Sequence, residues 1–288
     1  MNLLLHNVVN DITGVTGMAI IRAILDGQRD PEALARLRHP TCKNSVQVMA
    51  QSLVGTYRDE HLFELQQAVD LYDAYQAKIA ECDRRIERYL AAIDHVTDDA
   101  PPTPAKRLQP PVSNQPRFDA RTLLYQLTGV DLTRIDGIAA HTALTLVSEI
   151  GADMTRWPSV KHFASWLGLC PGTKVSGGKV LSSKSKRSAN HAAQALRLAA
   201  NSLYRSRSAL GAYLRRQSAR LGKSKAITAT AHKLARLVYN LLKHGTEYAD
   251  AGADYYERVY KERVIKNLAR RARELGYELV TSNATPQV

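Results

Sequence analysis

Six prolines fall between Pro101 and Pro116, and no regular helix can run through such a stretch, because each proline fixes φ and removes a backbone donor. Residues 98–120 therefore read as an extended linker that parts the chain into 1–97 and 121–288. Upstream of it, Leu62, Leu65, Val69, Tyr72, Gln76, Ile79, Asp83, Ile86, Leu90 and Ile93 follow one another in alternating steps of three and four. That spacing predicts a long helix with a coiled-coil-like seam, and equally fits one amphipathic helix lying on a domain. Gln76 and Asp83 are polar at seam positions, where they weaken packing but fix register. The segment before it, Asn2 to about Val54, reads as short helices broken by Gly14, Gly17, Gly27 and Pro31.

Beyond the linker, helices are predicted near Arg121–Leu127, Val160–Leu167 and Asn190–Tyr204, the last rich in alanine and suited to close packing. Another starts at Ser224 as an N-cap and ends near Gly245, and a basic amphipathic helix runs from Tyr255 to Leu275. Strands are not expected, and the fold class is mainly α. Gly137 in Ile135-Asp-Gly-Ile, echoed by Gly14 in Ile12-Thr-Gly-Val, marks a helix-hairpin-helix-like turn. There a glycine lets the backbone approach a phosphate. A purely structural helical hairpin is the open alternative, since Thr16 and Ala139 stand where the second glycine belongs.

The charge is unevenly spread. The 93 residues from Met154 to Thr246 hold 18 Lys and Arg and no Asp or Glu, while the rest of the chain has 22 basic against 27 acidic residues. Like charges on one surface repel, so the window calls for a polyanionic partner, and a nucleic-acid backbone fits best. Three widely spaced cysteines, Cys42, Cys82 and Cys170, suit a reducing cytosol and neither a disulfide framework nor a zinc site. No apolar run is long enough for a membrane span, so a cytoplasmic, nucleoid-associated protein is expected.

The most distinctive stretch is Trp166-Leu-Gly-Leu-Cys-Pro-Gly-Thr-Lys174-Val-Ser176-Gly177-Gly178-Lys179, followed by Lys184, Lys186, Arg187 and Arg197. A hydroxyl beside two glycines and several cations suits a phosphodiester, because glycine permits close approach and the cations stabilise charge on non-bridging oxygens. On the residues alone, a serine before two glycines is more often a tight turn. A nucleotide-binding loop is rejected, since Gly178 stands where its lysine is needed. The window has no carboxylates for a two-metal nuclease, and the histidines, His191 included, lack metal-ligand spacing. His191 is the histidine near Ser176 that would help proton transfer. Tyr204, Tyr213 and Tyr239 lie in basic surroundings, but their helical positions suggest packing rather than a tyrosine nucleophile.

Taken together, Thr128-Gly-Val-Asp-Leu, Ile135-Asp-Gly-Ile, Glu149-Ile-Gly, Phe163-Ala-Ser-Trp-Leu-Gly-Leu-Cys-Pro-Gly, Ser176-Gly-Gly-Lys and Leu196-Arg-Leu-Ala-Ala resemble the transposase domain of the family of insertion sequences 110, 116 and 902. Asp11-Ile-Thr-Gly-Val-Thr-Gly and Arg58-Asp-Glu-His-Leu-Phe resemble the segment joining that family's two catalytic domains. The resemblance implies a recombinase that moves DNA, with Ser176 as the strand-transfer nucleophile acting beside an amino-terminal RuvC-like domain. It also implies a structured guide RNA and a homo-oligomer, or association with full-length transposase.

On this reading 1–97 is a linking segment with a coiled-coil-like arm, 121–246 the transposase domain and 247–288 a basic C-terminal helix. The carboxylates of the RuvC-like domain are not among these residues, so the chain is expected to be incomplete as an independent enzyme. Magnesium is expected only with that domain, and no metal or other cofactor is assigned here. Gly137, Lys174, Gly177, Gly178, Lys179, Lys184, Lys186, Arg187 and Arg197 are the candidate nucleic-acid contacts. A non-catalytic DNA- or RNA-binding fragment that modulates a full-length transposase is the second reading, and a structural helical protein the third.

Overall fold

The computed structural model describes residues 1–103, 115–182, 184–185 and 188–280. Twelve helices and one two-stranded sheet are found among them, so the protein is mainly α. No helix among the described residues is long and apolar enough to cross a membrane. The chain divides into two compact units, Met1–Cys82 and Asp83–Val288.

The first unit holds α1 (Leu5–Val8), α2 (Val15–Leu25), α3 (Pro31–Arg36), α4 (Val46–Ser52) and the start of α5 (Asp59–Ala92). Its core gathers Ile20 and Ile24 of α2, Leu34 of α3, Met49 and Leu53 at the end of α4, and Val69 of α5, all buried. Helix starts follow the usual chemistry. Asp30 accepts the amides of Glu32 and Ala33 and is followed by Pro31, whose missing N–H costs nothing at the first helical position. The 34 residues of α5 form one helix, with Asp59 and Glu60 in its first turn, where carboxylates suit the helix dipole. Of the seam positions, Leu62 and Leu65 of α5 pack on the first core beside Val69, whereas Ile79 and Ile86 of α5 and Ile93 just beyond it are exposed.

The second unit contains the end of α5, then α6 (Ala120–Thr128), α7 (Ala140–Ile150), α8 (Val160–Trp166), β1 (Lys174–Ser176), β2 (Lys179–Ser182), α9 (His191–Ser202), α10 (Ala209–Leu221), α11 (Lys223–His244) and α12 (Gly252–Glu274). Here α9 is the central packing helix: Ala192, Ala193, Leu196, Ala199 and Ala200 are all buried. The small side chains let α7 and α11 lie close against it, as the alanine content predicted. Phe163 of α8 is fully buried against Trp157, edge to face with ring centroids 5.1 Å apart, and against Tyr239 of α11 at 5.6 Å.

Two expected details change. The start of α11 is not Ser224 but Lys223, because Gly222 at φ +81° both ends α10 and begins α11, leaving Ser224 inside the helix. The two glycine turns are not alike in backbone, since Gly14 is the extended N-cap of α2 at φ −74° whereas Gly137 is left-handed at φ +88°. Residues 104–114, within the proline-rich segment, lie outside the described residues.

Candidate nucleic-acid interface

Leu167 and Leu169 are buried at the end of α8, and the chain then leaves the core. Cys170 is half-buried, and burial raises the pKa of its thiol, so it is a poor nucleophile beside the segment that follows. Pro171 pairs with Ser185 in an isolated bridge, and the Gly172 amide donates to the Lys184 carbonyl at 3.0 Å. A Cβ at position 172 would lie 2.9 Å from that carbonyl, so the two segments can close this tightly only with glycine there.

Beyond this base, β1 and β2 form an antiparallel hairpin in which Val175 faces Val180 and Ser176 faces Lys179. Gly177 and Gly178 are the two residues of the loop, with φ +55° and +76°. Positive φ at both positions is the signature of a type I′ turn, which matches the right-handed twist of paired strands. Lys174 faces Ser182 rather than Leu181, so Leu181 is an extra residue, a bulge in β2.

Side chains alternate along a strand and face their cross-strand partners. Lys174, Ser176 and Lys179 therefore share one face of the hairpin, and Val175 and Val180 share the other. Both strands are solvent-exposed, with Val175 60%, Val180 63% and Leu181 69% accessible. Among the described residues no carboxylate or imidazole hydrogen-bonds the Ser176 hydroxyl. The structure thus brings together Lys174, Ser176, Gly177, Gly178 and Lys179 at one tip, with Lys184 at the base; Lys186 and Arg187 lie outside the described residues.

The other expected contacts lie elsewhere. Arg197 is half-buried on α9. Gly137 sits against the end of α9, where an added Cβ would lie 2.7 Å from the Ala199 carbonyl and 3.2 Å from the Leu203 side chain. Its glycine requirement is met by this packing. Beside it, Ser206 donates its hydroxyl to Asp136 at 3.1 Å. His191, the first residue of α9, holds Glu149 of α7 at 2.8 Å through Nδ1. Tyr239 is buried and donates to the Trp157 carbonyl at 2.9 Å, a packing role, while Tyr204 is half exposed. Among the described residues no group of three or more His, Cys, Asp or Glu side chains converges as a metal site.

The residue types alone did not lead to a strand here. The available signal was Gly177-Gly178 between Lys-Val-Ser and Lys-Val-Leu, two short β-prone runs separated by a two-glycine loop. The Glu149–His191 pair had no comparable signal, since it joins positions 42 residues apart.

Comparison with known proteins singles out the same region. Residues 131–215 match the model of the family described as Transposase IS116/IS110/IS902. That match runs from the buried Asp131 through α7, α8, the hairpin and α9 to Arg215 of α10. Over 120 residues, 41% of the chain, the protein is 32% identical to the Insertion element IS110 uncharacterized 43.6 kDa protein of Streptomyces coelicolor. The aligned region spans 29% of that relative. Residues 131–215, with the Ser176 hairpin inside them, are thus the part of the chain that is similar to the transposases of the IS116/IS110/IS902 family.

Proposed function

We propose that the chain acts in DNA transposition, binding DNA through the basic residues of 154–246 and presenting Ser176 as the nucleophile of strand exchange. The observation that carries this reading is the hairpin tip inside the matched domain, where Ser176 shares a face with Lys174 and Lys179. In the proposed step the Ser176 Oγ forms a bond to a DNA phosphorus as the bond from that phosphorus to a sugar oxygen breaks. The hydroxyl proton leaves Ser176, and a proton ends on the released sugar hydroxyl. Bond type is conserved, so the covalent intermediate can be reversed by a sugar hydroxyl of the incoming strand. Lys174 and Lys179 offset the charge on the non-bridging oxygens.

The family resemblance adds a structured guide RNA, oligomerisation and a RuvC-like domain with magnesium to this proposal. No step is assigned to the metal within these residues. The second reading, a non-catalytic nucleic-acid-binding fragment, is favoured by the exposure of the tip and by the lack of a base bonded to Ser176 among the described residues.

Ser176→Ala separates the two. After incubation with element-end DNA and full-length transposase, the wild-type chain should run as a covalent protein–DNA adduct on a denaturing gel. The variant should bind equally well and give no adduct. An adduct that survives the substitution, or its absence from wild type, would leave only the binding role.

A further inference from the structure

At the edge of the matched residues and beyond them, α10, α11 and α12 meet around a lysine. The Lys233 ammonium of α11 lies 4.5 Å from the centroid of the Tyr213 ring and 5.4 Å from that of Tyr256. Tyr256 packs edge-on to Tyr213 at 6.2 Å and near-parallel to Tyr260 at 6.4 Å. Arg216 lies over Tyr260 at 3.6 Å and is paired with Glu257. The aromatic walls hold the lysine head in place.

The charges acting on Lys233 are alike in sign. Arg236 follows it by one turn on α11, and Arg263 follows Tyr256 by seven residues on α12, hence on the same face of that helix. Burial lowers the Lys233 pKa, and Arg236 and Arg263 lower it further; burial and then Arg236 likewise lower that of His232. Glu257, the carboxylate of α12 that reaches this cluster, is taken by Arg216. An anion placed beside Lys233, Arg236 and Arg263 offsets the like charge that Lys233 meets from the other two.

We propose that Lys233, Arg236 and Arg263 form a second phosphate-binding site for duplex DNA, on α11 and α12 and separate from the Ser176 hairpin. The site rests on the nucleic-acid part of the function proposed above and not on Ser176 as a nucleophile. It supplies a fixed backbone contact whose register does not depend on the hairpin.

The test compares affinity for a duplex oligonucleotide across salt concentrations for wild type, Arg236→Gln/Arg263→Gln and Lys174→Gln/Lys179→Gln, each shown by circular dichroism to be folded. Loss of two phosphate contacts should weaken binding about 10-fold at moderate salt and lower the log–log salt slope by about 2. Arg236→Lys/Arg263→Lys should restore both. A double glutamine variant that binds duplex as wild type does overturns the site, and a loss confined to a stem-loop RNA overturns its assignment to DNA. If wild type shows no salt-dependent duplex binding, both this site and the function proposed above fail for DNA. NMR titration of the Lys233 side chain with tripolyphosphate gives a second readout: a rise in its pKa supports anion capture at the cluster even then, and no change counts against it.

Discussion

Arg121 donates to Asp131 through Nη2 at 2.6 Å, and the same nitrogen donates to the Pro102 carbonyl at 2.6 Å. Asp131 is buried, with a side chain 3% accessible against 15% for Arg121, and its carboxylate also takes the Thr133 amide at 3.0 Å. The carboxylate thus holds the short 3-10 turn of Leu132–Arg134 and orients the guanidinium that binds the Pro102 carbonyl.

Asp131→Ala leaves a mostly buried guanidinium without its counter-ion and the Thr133 amide without its acceptor. The expected loss of stability is about 3 kcal/mol, within the range for breaking a buried pair by removing one partner. Urea unfolding followed by circular dichroism measures it, and a loss below about 1 kcal/mol would show that the pair is dispensable.

Gly178→Val should disorder the hairpin tip and leave the core intact. Its φ of +76° costs a β-branched residue about 1 to 2 kcal/mol or more, concentrated in a hairpin that buries little. Gly177→Asn should be tolerated, because Asn-Gly is a favoured type I′ pair. Cross-strand NMR contacts between Val175 and Val180 report the first effect, and they should persist in Gly177→Asn with an unchanged melting temperature. Loss of the contacts in both variants would argue against a type I′ loop.

Stability should fall as the pH drops below 6.5. The His232 pKa is lowered in the folded protein by burial and by Arg236, from the ordinary histidine value of 6.5. The unfolded chain therefore takes up its proton first, and the stability present above 6.5 is lost as pH falls through the folded-state pKa. His232→Gln should flatten the melting-temperature profile over that range. An unchanged slope would place the acid sensitivity elsewhere.

Tyr239→Phe removes the hydroxyl that donates to the Trp157 carbonyl and accepts from Lys243 Nζ at 2.9 Å. The ring keeps its place against Phe163, so the cost should stay near 1 kcal/mol by urea unfolding. Retained transposition activity in the same variant would separate Tyr239 from strand transfer.

Several helices could be read in advance because their apolar residues recur at helical spacing and their ends carry recognisable caps, such as Asn190, whose Oδ1 takes the Ala193 amide at 3.0 Å, whereas α10 was not foreseen. The hairpin escaped that reading. Its strands are three and four residues long and exposed, so burial imposes no two-residue alternation on their sequence. Gly137 shows the same limit in another form. A local motif pointed to phosphate approach, but the Ala199 carbonyl that demands glycine lies 62 residues away in the chain and meets it only after α9 has packed. The cations of α11 and α12 were visible as composition. Their convergence on Lys233 depends on how two helices dock, and no spacing in the sequence encodes that.

The extra residue at Leu181 divides the hairpin into two separately indexed ladders. At the base, Pro171 with Ser185 and Lys174 with Ser182 keep one sum of positions, while Val175 with Val180 and Ser176 with Lys179 keep another, lower by one. The tip therefore keeps a register of its own, one position out of step with the base. A change of length within it moves Ser176 by whole alternations, so only steps of two residues per strand keep the serine on the face it shares with Lys174.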